Sequence, residues 1–513
     1  MIFLTTPVKK VISVILCSVL TLSMIFGLSG CGKRGEAGST AQKKFKSRGQ
    51  SVDLMEGIKP TGDKSDYTCG TCKDTDAAAF TDFAVKLFQQ AASDENTLIS
   101  PLSVVMALSM AMNGADSETL RQYEAAYGIS IDDINYFSNH IRSNLKNDKN
   151  TKLTIADSIW IKKDDGLTVN KDFLQTNANF YGAGVFKSPF DDGTIADINR
   201  WVANNTDGMI PQMLDKIDKD TVMFLINALC FDAKWEEPYL KTQISNDKFT
   251  NIKGEKQKAS YMTSNESIYI ETEHATGFAK PYYSGRYAFV GILPNEDISL
   301  EDYIEKYAKE DIETRFRKFA SFVYNLPSGA TLPSVNATIP KFKTEFSQSL
   351  NKDLRALGIT DAFNDKKADF TKLGNHVEGN IYIGNVLHKT FIEVGEHGTK
   401  AGAATSVEMV KETAAMDPIE PKTVKLDRPF MYMILDVENE IPVFIGTVSS
   451  TMSFSFRFKS ASSSARRLLF SASSSACAKG CASCSLAFSS CFCSCTNLAS
   501  RSVTLCGRLR RQL

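Results

Sequence analysis

Three observations predict an α+β fold, with large mixed β-sheets surrounded by helices, for residues 77–451 of this 513-residue chain. Segments with helical period and segments of strand type are interleaved along that span. One strand-type run is apolar enough to be covered on both faces. The last two strand-type runs fold back on each other as a hairpin.

Order begins at AAAFTDFAVKLFQQ, where Phe80, Phe83, Ala84, Leu87 and Phe88 fall on one face of an amphipathic helix. In SPLSVVMALSMAMNGA, Ser100 and Pro101 open a second helix and Gly114 is expected to close it. That helix is apolar almost all round, which predicts burial. LTIADSIWI reads as a strand, and ADINRWVANNTDG as a helix ending at Gly208. TVMFLINALCFDAKW is the long apolar strand, and FMYMILDVENEIPVFIGTV is the hairpin, with Glu438, Asn439 and Glu440 at its turn.

The ends differ from the middle. Lys9 and Lys10 precede VISVILCSVLTLSMIFGL and then LSGC, the order of a secretory signal. The LSGC ending resembles a bacterial lipoprotein signal, which implies lipidation at Cys31, a signal peptide over residues 1–30 and a lipid anchor in the membrane at the cell surface. A plain membrane anchor is the other reading, although the apolar run is slightly short of the ~20 residues a span requires. Residues 31–76 are polar and without period, as in a flexible tether. Within them Cys69 and Cys72 form either a local disulfide or half a metal site, and a linker feature without catalysis is the favoured reading. Residues 452–513 are Ser/Ala/Cys low complexity, expected to be disordered. That tail holds seven of the twelve cysteines, so the fold does not rest on a disulfide framework. It also holds nine Lys or Arg and no acidic residue; without it 50 basic residues face 59 acidic ones, a balance that argues against nucleic acid as a partner.

Residues 396–407 read EHGTKAGAATSV, too small for an ordinary core strand and too poor in Asp, Asn and Pro for an ordinary loop. From Thr399 the chain alternates. Thr399, Ala401, Ala403, Thr405, Val407 and Met409 form one set, and every charge from 399 through 410 lies in the other. Such a strand buries one face. Its small residues suit entry between packed neighbours, and fourteen or so extended residues reach ~45–50 Å. An ordinary strand, or a helix favoured by alanine, also fits this composition.

Residues 77–450 resemble the serpin family. The matching stretches are NTLISPLSVVMALSMAMNGADSET, INRWVANNTDGMI, LINALCFDAKWEEPY, IPKFKTEFSQSLNKDLRALGITDAFNDKKADFTKL, GNVLHKTFIEVGEHGTKAGAAT, LDRPFMYMI and VFIGTV, in that order. The resemblance implies an exposed reactive loop that a protease cleaves and that then inserts into the central sheet with the protease still attached. It places the hinge at Glu396, Gly398, Thr399, Lys400, Ala401, Gly402, Ala403, Ala404 and Thr405. It places a shutter, where the sheet parts, at Ser100, Ser103, Asn227 and His388, and a breach at the top of the sheet at Lys341, Glu396 and Trp235. Fifteen residues counted from Gly398 put the reactive bond at Glu412–Thr413, with Ala414–Ala415 and Lys411–Glu412 as the alternatives.

The function implied is suicide inhibition of extracellular serine proteases, with cysteine proteases as a further class, by a monomer. The alternative is a non-inhibitory serpin acting as a surface binding protein. The small residues from Gly398 to Thr405 match inhibitory members. The five histidines show no HExxH spacing, and neither GxSxG nor a Walker A pattern occurs, so no enzyme activity, catalytic residue, metal or cofactor is expected.

Overall fold

A computed structural model of the protein describes residues 47, 49–61, 74–145, 147–217, 221–324, 334–377, 379–399 and 422–451. The chain divides into Met1–Ser453 and Phe454–Leu513, and every described residue belongs to the first unit. The signal segment with Cys31, the Cys69–Cys72 pair, the segment from Lys400 through residue 421 and the tail lie outside the described residues.

Six helices of ten residues or more are described: α1 (Asp74–Ala91), α2 (Pro101–Met112), α3 (Ser117–Tyr127), α4 (Ile131–Ser143), α5 (Lys171–Phe180) and α6 (Asp192–Asn205). The five apolar residues predicted for one face of α1 are all buried. Every residue of α2 is buried, as its all-round apolar sequence requires. Ser100 caps α2, its hydroxyl accepting from the Ser103 N–H at 3.3 Å, and Pro101 occupies a first-turn position where a missing N–H costs nothing. Gly114 does not close the helix as a left-handed cap; Asn113 does so in right-handed geometry. The glycine is needed for a different reason: a Cβ there would lie 2.5 Å from Cβ of Leu373. Helix α6 ends three residues before Gly208, which carries φ +76° in the turn that follows.

The central sheet has seven strands: β1 (Val52–Asp53), β2 (Thr151–Lys162), β3 (Gly184–Ser188), β4 (Met223–Lys234), β5 (Phe342–Ser349), β6 (Asn385–Gly395) and β7 (Gly398–Thr399). Their order is β1-β3-β2-β4-β7-β6-β5. Strand β4 shows why the long apolar run formed here. Leu225, Leu229, Phe231 and Ala233 enter the main core, while Phe224, Ile226, Ala228 and Cys230 face a second cluster built from Trp160, Phe186 and Trp201. The period of two thus distributes one apolar run between two cores. Each large side chain fully buried in this way contributes about 1.5–3 kcal/mol.

A six-stranded sheet, containing the predicted hairpin as Phe430–Asp436 and Ile441–Val448, packs into the main core. A four-stranded sheet includes Val335–Pro340 and Lys256–Glu266.

Strand β1 corrects the expectation of a free tether. Residues 49–61 lie on the body of the fold: Val52 pairs with Lys187 and Asp53 with Phe186, and the Leu54 N–H donates to Val185 O at 2.9 Å. Leu54, Met55 and Ile58 pack partly buried against the main core. Helix α5 holds the following residues, with Gln175 donating to Lys59 O and the Thr61 N–H donating to Asn179, both at 2.9 Å. Three spaced apolar side chains and an open sheet edge suffice to order a segment that is polar in overall composition.

Candidate functional site

Strand register brings together the residues expected to form a shutter. Asn227 of β4 stands opposite Asp157 of β2 on one side and opposite His388 of β6 on the other. All three side chains are buried, as are Ser100 and Ser103 at the start of α2, behind the sheet.

The hydrogen bonds run in a consistent sense. The Ser100 N–H donates to Nε2 of His388 at 3.2 Å, so the imidazole proton sits on Nδ1. Nδ1 lies 2.5 Å from Oδ1 of Asn227, and the Asn227 amide donates to Oδ1 of Asp157 at 3.1 Å. The Ser103 hydroxyl donates to the same carboxylate oxygen at 3.2 Å, and the Ser100 hydroxyl donates to Val443 O at 2.9 Å. Burial lowers the His388 pKa to about 3, so the ring is neutral. Burial also pushes the Asp157 carboxyl well above the usual range, against the opposing pull of Ser103 and Asn227. The network therefore ties β2, β4, β6 and α2 together through groups that can exchange partners.

At the breach, Lys341 and Glu396 pair at 2.5 Å with about a third of each side chain exposed, and Lys341 holds the Glu396 carboxyl below its ordinary range. Trp235 is buried; its indole N–H donates to Gly395 O at 2.8 Å and its ring stacks on Tyr282 at 4.4 Å. Two hinge residues are seated between strands. Gly398 and Thr399 pair antiparallel with Lys234 and Ala233 of β4, and with Gly395 and Val394 of β6. Glycine is required at the first: φ is +146°, and a Cβ would lie 2.0 Å from Ala233 O. Thr399 is fully buried, which agrees with its place in the inward set.

The structure therefore assembles Ser100, Ser103, Asn227 and His388 in one place, and Lys341, Glu396, Trp235, Gly398 and Thr399 in another. Lys400, Ala401, Gly402, Ala403, Ala404, Thr405, Glu412 and Thr413 lie outside the described residues. Two participants escaped the sequence reading. Asp157 had a signal, being the one charge inside LTIADSIWI. Tyr282 had none, because its partners come from distant parts of the chain.

Comparison with known proteins agrees with this architecture. A family model described as Serpin (serine protease inhibitor) matches residues 78–451. Human leukocyte elastase inhibitor is 28% identical over 389 residues, covering 73% of this chain and 99% of that protein. An uncharacterized serpin-like protein of Methanosarcina acetivorans is 28% identical over 402 residues, covering 72% and 87%. Among solved structures, the native state of the thermophilic serpin tengpin is 46% identical with a TM-score of 0.68, covering 78% of this chain and all of that one. The latent state of tengpin is 43% identical with a TM-score of 0.62, covering 77% and 100%. With a buried polar row across the central sheet, Gly398 seated between two of its strands and a family match over most of its length, this chain belongs to the serpins.

Proposed function

We propose that this protein is a suicide-substrate inhibitor of serine proteases, and by the same acyl-enzyme chemistry of cysteine proteases, acting by reactive-loop cleavage and insertion between β4 and β6. The observation that carries the reading is the seating of Gly398 and Thr399 between those two strands. The residues that follow are small and alternate correctly for an inserted strand. The decisive experiment incubates the protein with trypsin-, chymotrypsin-, elastase- and glutamate-specific enzymes and looks for a complex that survives SDS. Cleavage by all four without any stable complex would favour a non-inhibitory binding protein.

The same proposal places the molecule at the surface of a bacterial cell, held by lipid on Cys31. The support is the basic start, apolar stretch and LSGC ending. Palmitate labelling that disappears in Cys31→Ser tests it.

A further inference from the structure

Tyr282 contacts the hinge from outside the central sheet. It lies in the turn between strands Ala275–Pro281 and Tyr287–Pro294 of the six-stranded sheet, and its N–H donates to Tyr287 O at 2.9 Å. Its ring is fixed on two sides, stacked on Trp235 at 4.4 Å and 15°, and edge-on to Phe231 at 4.9 Å and 81°. Its hydroxyl lies 2.5 Å from Oγ1 of Thr399, and both residues are fully buried.

We propose that Tyr282 is a positioning residue for the inhibitory reaction: a latch that holds Thr399 in the seam, so that insertion starts from a hinge already seated. The inference rests on the inhibitor reading given above. Its physical basis is that the two hydroxyls satisfy each other where water does not reach. Withdrawing the hinge leaves the Tyr282 hydroxyl without Thr399 in a packed aromatic cluster, and removing the phenol leaves the Thr399 hydroxyl without Tyr282 between two strands. An orphaned buried hydroxyl is costly, whereas replacing both partners by apolar groups of the same shape is nearly neutral. The latch also separates two jobs at the hinge. Gly398 supplies the backbone shape that lets the chain enter, and Thr399 supplies the side chain that is retained.

The test is a cycle of Tyr282→Phe, Thr399→Val and the double variant, each preserving volume so that the full-length protein folds. Two readouts are taken. One is hydrogen exchange of the Thr399 amide together with tryptophan fluorescence, recorded with Trp160 and Trp201 replaced by Phe so that it reports on Trp235; it requires no protease. The other is the fraction of encounters ending in a stable complex rather than a cleaved loop, with whichever enzyme of the panel the wild type inhibits. Each single variant is expected to raise Thr399 exchange by ~10-fold or more and to shift the partition toward cleavage. The double variant also lacks the latch but strands no hydroxyl, so it is expected to lose no more than the worse single variant, which ties both losses to one shared contact. Additive losses in the double variant, or unchanged exchange in the singles, would overturn the latch. If the wild type forms no complex with any protease the inhibitor reading fails, and with it the claim that the latch serves inhibition; the exchange cycle then still decides whether Tyr282 holds the hinge.

Discussion

Asn227 and His388 face each other across the seam between β4 and β6, with Oδ1 of the amide 2.5 Å from Nδ1 of the ring. A second bond of this ring, the one Nε2 accepts from the Ser100 N–H, requires the ring to be neutral. Any proton added to His388 therefore breaks a bond that fastens the sheet to helix α2.

The pH dependence follows. The His388 pKa is about 3 in the folded protein, against an ordinary value of 6.5. For a base whose folded pKa is depressed, the unfolded chain binds the extra proton first. The stabilisation is present above pH 6.5 and is lost as pH falls from there toward about 3, by at most ~1.4 kcal/mol per pH unit. Read as the difference in urea midpoint between wild type and His388→Gln at pH 7, 6, 5 and 4, this contribution is expected to shrink steadily as pH falls. A difference that does not change with pH would place the acid sensitivity elsewhere.

Asp157 works in the opposite direction. Its folded pKa is raised by burial, so its contribution is full below the ordinary carboxylate range and is lost as pH rises toward the folded value. Asp157→Asn keeps an oxygen to accept from Ser103 and Asn227 while removing the ionisable proton. The variant is expected to gain ~1–3 kcal/mol over wild type at pH 8 and less at pH 5. A constant difference between the two pH values would show that the folded carboxyl is already ionised at pH 5, like the unfolded one.

The Lys341–Glu396 pair is partly exposed, so Lys341→Ala is expected to cost ~1 kcal/mol or less, and less still in 1 M salt. Thermal melts at low and high salt measure this. A loss of several kcal/mol would mean that the pair holds the breach in a way its exposure does not suggest.

If the proposed inhibition holds, Thr399→Arg is expected to turn it into simple cleavage. The arginine would have to be buried beside Tyr282 without a partner, slowing entry of the strand while leaving the loop cleavable. In the wild type, cleavage between residues 408 and 416 is expected to raise the melting temperature clearly, with each kcal/mol moving it only ~1–2 °C in a domain of this size. Calorimetry before and after limited proteolysis decides this, and an unchanged value would count against insertion.

The peptide released from an inhibited complex is expected to begin at Thr413. On the proposed mechanism, strand length counted from Gly398 would fix how far the attached protease travels, and fifteen residues end at Glu412. Mass spectrometry reads the first residue directly, and a start at Ala415 would move the bond to Ala414–Ala415.

Much of the fold was legible because local pattern and final environment agree. The face of α1, the all-apolar α2 and the two-faced strand β4 each carry their burial in their own periodicity. The shutter and breach were legible only through resemblance, since Ser100, Asn227 and His388 lie far apart in sequence and meet through strand register. Asp157 was missed because a lone carboxylate in a strand acquires meaning only when its donors, Ser103 and Asn227, are known. Residues 49–61 were misread because composition reports the average, and three apolar side chains were enough to bind an edge.

The direction of the strands at the seam has a thermodynamic consequence. Asn385–Phe391 runs parallel to Phe224–Cys230, whereas Gly398 and Thr399 run antiparallel to both neighbours. Parallel ladders have slanted bonds and hold slightly less per residue. A chain continuing from Thr399 down this seam would dissolve one parallel ladder and build two antiparallel ones, doubling the number of rows of main-chain bonds there. No separate spring would then be required to drive the proposed insertion. On the proposed mechanism the uninserted sheet would lie above the inserted one, and going back would mean giving up two stronger ladders to regain one weaker one.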